Sequence, residues 1–261
     1  MKDVLLRALA RTGLIGHAYR AYELARALAS RRVAGSAGGL PLPPARLMVK
    51  VAGTPDPTWF LESGELAARS IAEAMEGVGR GMDELGSILD LGCGCGRVVR
   101  HWRHLSAEVH GTDANDALVA WCRANLPFGH FRTNRVAPPL DYGAESFDLV
   151  YALSVLTHLP AELQLPWMRE LSRVLRPGGH LLLTIHGHAY AGRLTRSELR
   201  SFEAGELVVR WPRAAGTNLC TVFHPESYVR ESLAEGFALE AFLPEGAKGN
   251  PPQDLVLLRK D

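Results

Sequence analysis

Apolar positions fall into two rhythms along this chain. From Trp59, apolar residues recur at Phe60, Leu61, Leu66, Ala67, Ile71, Ala74 and Met75. That interval of three to four predicts a helix ending near Gly77. Shorter runs then follow one another. Ser87-Ile88-Leu89-Asp90-Leu91 is an aliphatic strand closing on an acid, and Gly92, Gly94 and Gly96 make a tight turn after it. Arg97 to Leu105 is periodic again and reads as the next helix. Glu108 to Asp113 gives a second strand, Asn115 to Ala124 a helix, and His130 to Thr133 a third strand. Ser146 to Ala152 is the fourth strand. A helical stretch from Leu163 to Leu175 contains Pro166, Arg176-Pro-Gly-Gly179 breaks it, and His180 to Ile185 is the fifth strand. Strands alternating with helices at this spacing predict an α/β fold of Rossmann-like, three-layer type, with a mostly parallel sheet.

The rhythm changes between Gly187 and Pro225. A helical patch at Ser197 to Phe202, an extra strand at Leu207 to Trp211 and a polar loop read as an insertion over residues 187–225. After it come a helix from His224 to Ala234 and two closing strands, Gly236 to Leu243 and Asp254 to Arg259. They complete a seven-stranded sheet with a C-terminal antiparallel strand. At the other end, Met1 to Arg32 places Leu5, Leu6, Leu9, Ala18, Tyr22, Ala25 and Leu28 at broadly helical intervals, with seven Lys or Arg against Asp3 and Glu23. The expected organisation is a basic amphipathic helical extension over 1–34 and a Gly/Pro linker over 35–58, in which Arg46 to Ala52 is extended. The main domain is expected over 59–261.

Composition narrows the function classes. A formal net charge of +1 gives no general argument for nucleic acid binding. No apolar run approaches the roughly 20 residues of a membrane span, so stable membrane insertion is not expected. The four cysteines, Cys93, Cys95, Cys122 and Cys220, show no disulfide-like pairing beside a secretory signal, which fits a reducing cytoplasm. Cys93-x-Cys95 is too closely spaced for a zinc knuckle and has no second pair, so no metal is expected.

The chemistry gathers where the strands end. Asp90 closes the first strand before the glycine turn, and Asp113 closes the second, 23 residues later. That spacing is near the roughly 20 residues between a glycine turn and a ribose-binding acid in nucleotide sites. A nicotinamide fingerprint would read G-x-G-x-x-G, whereas this turn reads Asp90-x-Gly92-x-Gly94-x-Gly96. With Phe147-Asp-Leu-Val150, Ala152-Leu-Ser-Val-Leu-Thr-His158 and Leu171-x-x-Val-Leu-Arg-Pro-Gly-Gly179, the chain resembles the class I S-adenosylmethionine-dependent methyltransferases over about Phe60 to His186. It is similar to their bacterial small-molecule members.

The resemblance implies S-adenosylmethionine as cofactor and S-adenosylhomocysteine as product. It implies Asp113 on the ribose hydroxyls, with Ala114 beside it, and Asp90, Gly92, Cys93, Gly94 and Gly96 around the amino-acid tail. Asn134 stands where many relatives carry an acid that meets the adenine. Its amide can make that contact or cap its own loop. Leu153 and Ser154 follow the fourth strand, and Trp59, Phe60, Ser63 and Gly64 sit on a helix that caps the pocket in this family.

The family carries no invariant general base, so base candidates come from position. His158 follows the fourth strand, and His186 and His188 follow the fifth, where a neutral imidazole can take a proton. Tyr190, Trp211, Asn218, Phe223 and His224 give the insertion an aromatic and polar face suited to a small organic acceptor. Oxygen is favoured slightly over nitrogen as the methylated atom. A non-catalytic S-adenosylmethionine-binding scaffold or regulator, and an RNA methyltransferase using the basic first helix, remain alternatives. A homodimer is a further expected partner state.

Overall fold

The structure is a computed structural model and describes residues 35–250 and 252–261, together with positions 21 and 25. It forms two compact units, Met1–Phe60 and Leu61–Asp261. The basic helix expected over 1–34 lies outside the described residues except at positions 21 and 25. In the first unit, Ser36–Ala37 pairs antiparallel with Leu40–Pro41. The segment expected to be extended is instead a helix, α1, Ala45–Ala52. Pro44 precedes it, and Gly53 ends it at φ +67°, donating its N–H to the Val49 carbonyl at 2.8 Å. Proline before and left-handed glycine after are a helix bracket, so the stretch read as linker holds local structure of its own.

The long helix α2 runs from Pro57 to Gly77. The sheet strands are β1 (Ser87–Leu91), β2 (Glu108–Asp113), β3 (Gly129–Thr133), β4 (Phe147–Ala152) and β5 (Leu175–Ile185). A hairpin outside the sheet, β6 (Val208–Arg210) with β7 (Thr221–Phe223), precedes the closing strands β8 (Phe237–Ala247) and β9 (Gln253–Lys260). Helices α3 (Asp116–Asn125), α4 (Ala161–Val174) and α5 (Arg196–Glu203) accompany them.

The sheet order is β8-β9-β5-β4-β1-β2-β3. Strands β1 to β5 are parallel, while β9 runs antiparallel to both β5 and β8. The expected seven-stranded, mostly parallel sheet is therefore present. All five residues of β1 are buried, as a central parallel strand requires. Leu89, Leu91, Val150, Leu181, Leu183, Val256 and Leu258 share one core with Trp167, Met168 and Leu171 of α4. The order reverses between β1 and β4, and that switch point at the strands' carboxyl ends is where open α/β sheets hold ligands.

Two local expectations fail. Arg97 to Leu105 forms no α-helix; a 3₁₀ turn covers Val99–Trp102. Successive β-branched Val98 and Val99 disfavour a longer helix, and Val98, Val99 and Trp102 are all buried. The helix does end at Val174, before Arg176-Pro-Gly-Gly179, but the fifth strand begins at Leu175 and not at His180, so the run does not separate the two. It lies within β5, and Gly178 at φ +72° accompanies the register shift against β4.

Candidate cofactor and acceptor site

The turn after β1 is built on three left-handed glycines, Gly92 (φ +79°), Gly94 (φ +56°) and Gly96 (φ +78°). A side chain at any of them would be strained. A Cβ on Gly92 would also lie 2.5 Å from Val155, and one on Gly96 would overlap Leu126. The turn is tied to β2, because the N–H groups of Gly92 and Cys93 both donate to the Thr112 carbonyl, at 2.7 and 3.0 Å.

Asp113 ends β2 beside this turn. Its Oδ2 accepts the Gly94 N–H at 3.0 Å and its Oδ1 accepts the Asn115 N–H at 2.8 Å. Burial raises its pKa, partly opposed by those two bonds. A carboxylate has about four lone-pair sites, so each oxygen retains capacity for one more donor. That capacity suits the two vicinal hydroxyls of a ribose. Asp90 is 4% exposed, and burial lifts its pKa to about 7, against the lowering effect of the Tyr151 hydroxyl and of Arg97. Tyr151 is held in turn by the Trp102 indole N–H at 3.0 Å. Asp90 is thus a buried acid beside the turn, placed to gain a cationic partner.

Arg97 joins parts of the second unit that are far apart in sequence. Its buried guanidinium donates to the Ser63 carbonyl and hydroxyl at 3.0 and 3.3 Å, to the Gly249 carbonyl at 3.3 Å and to Asn250 Oδ1 at 2.5 Å. A Cβ on Gly64 would overlap the Arg97 carbonyl. Asn250 and Gln253 both donate to the Ser154 hydroxyl, at 3.3 and 2.5 Å. Gln253 accepts from the Thr184 hydroxyl at 2.6 Å and is also hydrogen-bonded to Tyr190. One polar network thereby links α2, the glycine turn, the ends of β4 and β5, and the β8–β9 turn. Ser154 itself sits at φ +60°, with its N–H held by the Thr184 hydroxyl at 2.8 Å.

Beyond β4 and β5, two imidazoles are fixed by the insertion. His158 Nδ1 lies 2.6 Å from the Cys220 carbonyl, and His186 Nδ1 lies 3.0 Å from the Val222 carbonyl. A carbonyl can only accept, so both neutral rings carry their proton on Nδ1 and present a bare Nε2. The backbone reciprocates: Gly216 and His224 donate their N–H groups to the His158 and His186 carbonyls at 2.9 and 2.8 Å. The ring centroids are 6.3 Å apart, and Tyr190 stacks on His186 at 4.1 Å. Burial lowers the pKa of both histidines, that of His186 to about 3 with the neighbouring His158 adding to the effect. Both are neutral across the physiological range.

The remaining predicted residues scatter more. Leu153 is half-buried and Ala114 exposed. Cys93 is buried, its thiol pKa raised by a hydrogen bond with Cys122 and by desolvation. Among the described residues no group of three or more side chains is arranged to hold a metal ion. Asn134 is engaged within the protein: its oxygen accepts from the hydroxyl of Thr112 on β2 at 2.8 Å and its nitrogen donates to the Arg135 carbonyl at 2.6 Å. Phe60 is buried and belongs to the first unit. Phe223 is buried 5.7 Å from His186, whereas Trp211 is half-buried and Asn218 exposed on the insertion. His188 is exposed. His224 is fully buried, with its Nε2 3.2 Å from Gln164 Oε1, so it lies beneath the insertion's surface as a core residue. Gln164 spends its amide nitrogen on the Leu156 and Leu159 carbonyls, which makes its oxygen the acceptor. Arg97, Asn250 and Gln253 were not legible as site residues, because periodicity does not report side chains that meet across about 100 to 150 positions.

Residues 89–183 match the methyltransferase domain family. A ubiquinone biosynthesis O-methyltransferase of Sinorhizobium medicae is 27% identical over 177 residues, 67% of this chain and 68% of the relative. The methyltransferase GfsG of Streptomyces halstedii is 33% identical over 139 residues, 49% of this chain and 47% of its own length. Among solved structures, an S-adenosylmethionine-dependent methyltransferase of Methanosarcina mazei shares the fold at a TM-score of 0.51 and 23% identity, covering 67% of this chain and 92% of that one. With the glycine turn, the acids closing β1 and β2 and this sheet order, residues 89–183 are a methyltransferase domain of the class I, S-adenosylmethionine-dependent type.

Proposed function

We propose that the protein methylates a hydroxyl oxygen of a small organic acceptor bound between the ends of β4 and β5 and the insertion 187–225. The observation that carries this reading is the pair of bare imidazole nitrogens on His158 and His186. Each is an acceptor in want of a proton donor, and a neutral hydroxyl supplies one while a protonated amine has no lone pair to methylate. The names of relatives such as the ubiquinone biosynthesis O-methyltransferase lend support from outside the chain.

Bound S-adenosylmethionine supplies an electrophilic methyl group on a sulfonium sulfur. Asp113 holds the ribose, and Asp90 with the glycine turn receives the amino-acid tail. Leu153 and Ser154 border the pocket on the β4 side, and Ser63 and Gly64 on the α2 side. His186 orients the acceptor by accepting the one hydrogen bond its hydroxyl can donate, His158 is open to a second donor of the acceptor, and Tyr190 and Phe223 pack its apolar part. Catalysis then comes mainly from alignment of the oxygen with the methyl carbon. Among the described residues no helix is long and apolar enough to cross a membrane. We place the protein in the cytoplasm, where its four free, buried cysteines stay reduced.

The test is a panel of matched acceptors, each hydroxyl compound offered beside its amino analogue, with product mass as readout. Faster turnover of the hydroxyl members is expected, and His186→Gln should weaken acceptor use while sparing S-adenosylhomocysteine affinity. Preference for the amines would overturn the reading. Transfer to RNA, with binding that weakens steeply as salt rises, would replace it by the nucleic-acid alternative.

A further inference from the structure

Tyr190 and Phe223 both lie against His186, and each carries a guanidinium. Arg210 sits over Phe223 at 5.2 Å from the ring centre, and Arg193 over Tyr190 at 4.3 Å. The two charges meet different ends. Arg210 is spent within the insertion, where its Nε and Nη2 donate to the Glu198 carboxylate at 2.8 and 2.6 Å. Arg193 forms no ion pair among the described residues, and Glu198, the acid nearest to it in sequence, is the one Arg210 occupies. Its backbone is held in place all the same. Arg210 Nη2 donates to the Arg193 carbonyl at 2.8 Å, and the 3₁₀ turn His188–Arg193 closes with the Leu194 N–H on the Ala191 carbonyl at 3.0 Å.

His186 stacks on Tyr190 at 4.1 Å with 29° between the planes. That takes one face of the phenol ring, so a cation 4.3 Å from the same centre covers the other. Imidazole, phenol and guanidinium form a column. Tyr190 is 5% exposed and His186 7%, while Arg193 is exposed, so the column runs from the acceptor-orienting imidazole outward and ends in a positive charge. Gln253 is hydrogen-bonded to Tyr190 and donates to Ser154, which anchors the column to the ends of β4 and β5. After burial, which dominates, the Arg193 charge acts on the pKa of both rings, lowering that of His186 and opposing the rise of Tyr190. A cation–π contact holds the guanidinium over the ring, and its N–H fork matches a carboxylate or a phosphate.

We propose that Arg193 selects acceptors that carry an anionic group, a carboxylate or a phosphate, on an arm beside the methylated hydroxyl. The inference rests on the acceptor site proposed above, with the hydroxyl on His186. The anion pairs with Arg193 at the rim, and the arm that bears it passes the edge of Tyr190. A hydroxyphenylpropanoate has this layout, whereas a neutral acceptor leaves the charge unmatched. Arg193 thus sets which compound is bound, and the transfer itself is left to alignment.

The test offers phloretate (a hydroxyphenylpropanoate) and tyrosol phosphate, each beside its neutral counterpart, phloretate methyl ester and tyrosol. Wild-type kcat/KM should favour the anion in at least one pair, and the better anion tells carboxylate from phosphate. Arg193→Gln should raise KM for that anion by about three- to thirtyfold, a range that allows for the exposure of the pair. KM for the neutral counterpart and S-adenosylhomocysteine affinity should stay near wild type. Arg193→Lys, which keeps the charge, should recover part of the loss. Equal use of anion and neutral counterpart by the wild type would overturn the proposal. So would a loss in Arg193→Gln shared equally by both, because Arg193 would then only support Tyr190. If amines are the compounds turned over, the hydroxyl reading fails by itself, and aminophenylpropanoate beside its methyl ester judges Arg193 by the same contrast. If nothing turns over, nitrogen-15 NMR of the Arg193 side chain decides, in the full chain saturated with S-adenosylhomocysteine and assigned with Arg193→Gln. A saturable shift of its Nε–H with phloretate or tyrosol phosphate, absent with the neutral counterparts, supports the role, and no shift with either anion overturns it.

Discussion

Replacing Asp113 by alanine has two separable consequences, and their sizes follow from its hydrogen bonds. The substitution removes the acceptor of the Gly94 N–H at 3.0 Å and of the Asn115 N–H at 2.8 Å. Leaving such donors unsatisfied costs about 1–3 kcal/mol, and at this size each kcal/mol lowers Tm by about 2–4 °C. A fall of roughly 2–12 °C is expected in the apo protein. Cofactor affinity should fall as well, because hydrogen bonds to a charged group are worth about 1.5–3 kcal/mol, which is about tenfold to a hundredfold in Kd. A loosened glycine turn would produce the same sign, so the affinity loss alone does not prove ribose contact. A cycle with S-adenosylhomocysteine and its 2′-deoxy analogue separates the two causes. If Asp113 holds the ribose hydroxyls, the variant and the deoxy ligand each remove the same bond, and their effects are non-additive by about 0.5–3 kcal/mol. If Asp113 acts through the turn alone, the losses add. Calorimetric titration of both ligands against wild type, Asp113→Ala and Asp113→Asn gives the answer. Additive losses in folded variants would refute the placement of the ribose.

Three further outcomes are expected. Asp90 has its folded pKa raised to about 7 from 3.8, so its contribution to stability is fully present below the lower value and lost as pH rises through the higher one, about 4 kcal/mol in all; Asp90→Asn should flatten that slope in apo melts from pH 4 to 8, and an unchanged slope would contradict the assignment. Nitrogen-15 NMR of the histidine rings should show His158 and His186, identified by their single Gln variants, as neutral Nδ1–H tautomers at neutral pH, and Nε2–H signals from both would break the clasp described for the insertion. Arg97→Lys cannot make four contacts in one plane, so amide exchange should speed up in the β8–β9 turn around Gly249, whereas unchanged protection would deny Arg97 its bridging role.

What the chain disclosed in advance was what local pattern can carry. The alternation that gave β1 to β5, the glycine turn and the acids at Asp90 and Asp113 all depend on near neighbours in sequence. The helix expected after the turn did not form, because Val98, Val99 and Trp102 follow tertiary packing instead of a 3.6-residue repeat. The helix at Ala45–Ala52 was missed although its bracket of Pro44 and Gly53 was in view. His158 and His186 were legible as positions, but their tautomers depend on carbonyls of Cys220 and Val222, 62 and 36 residues away.

The central claim is that this chain moves a methyl group from S-adenosylmethionine to oxygen. The most direct measurement supplies S-adenosylmethionine with a carbon-13 methyl group together with the hydroxyl and amine panel, and reads the chemical shift of the transferred methyl. An O-methyl resonance that grows with enzyme concentration, and disappears when excess S-adenosylhomocysteine is added, is the predicted result. A protein that binds S-adenosylhomocysteine but yields only N-methyl signals, or none, would contradict the account.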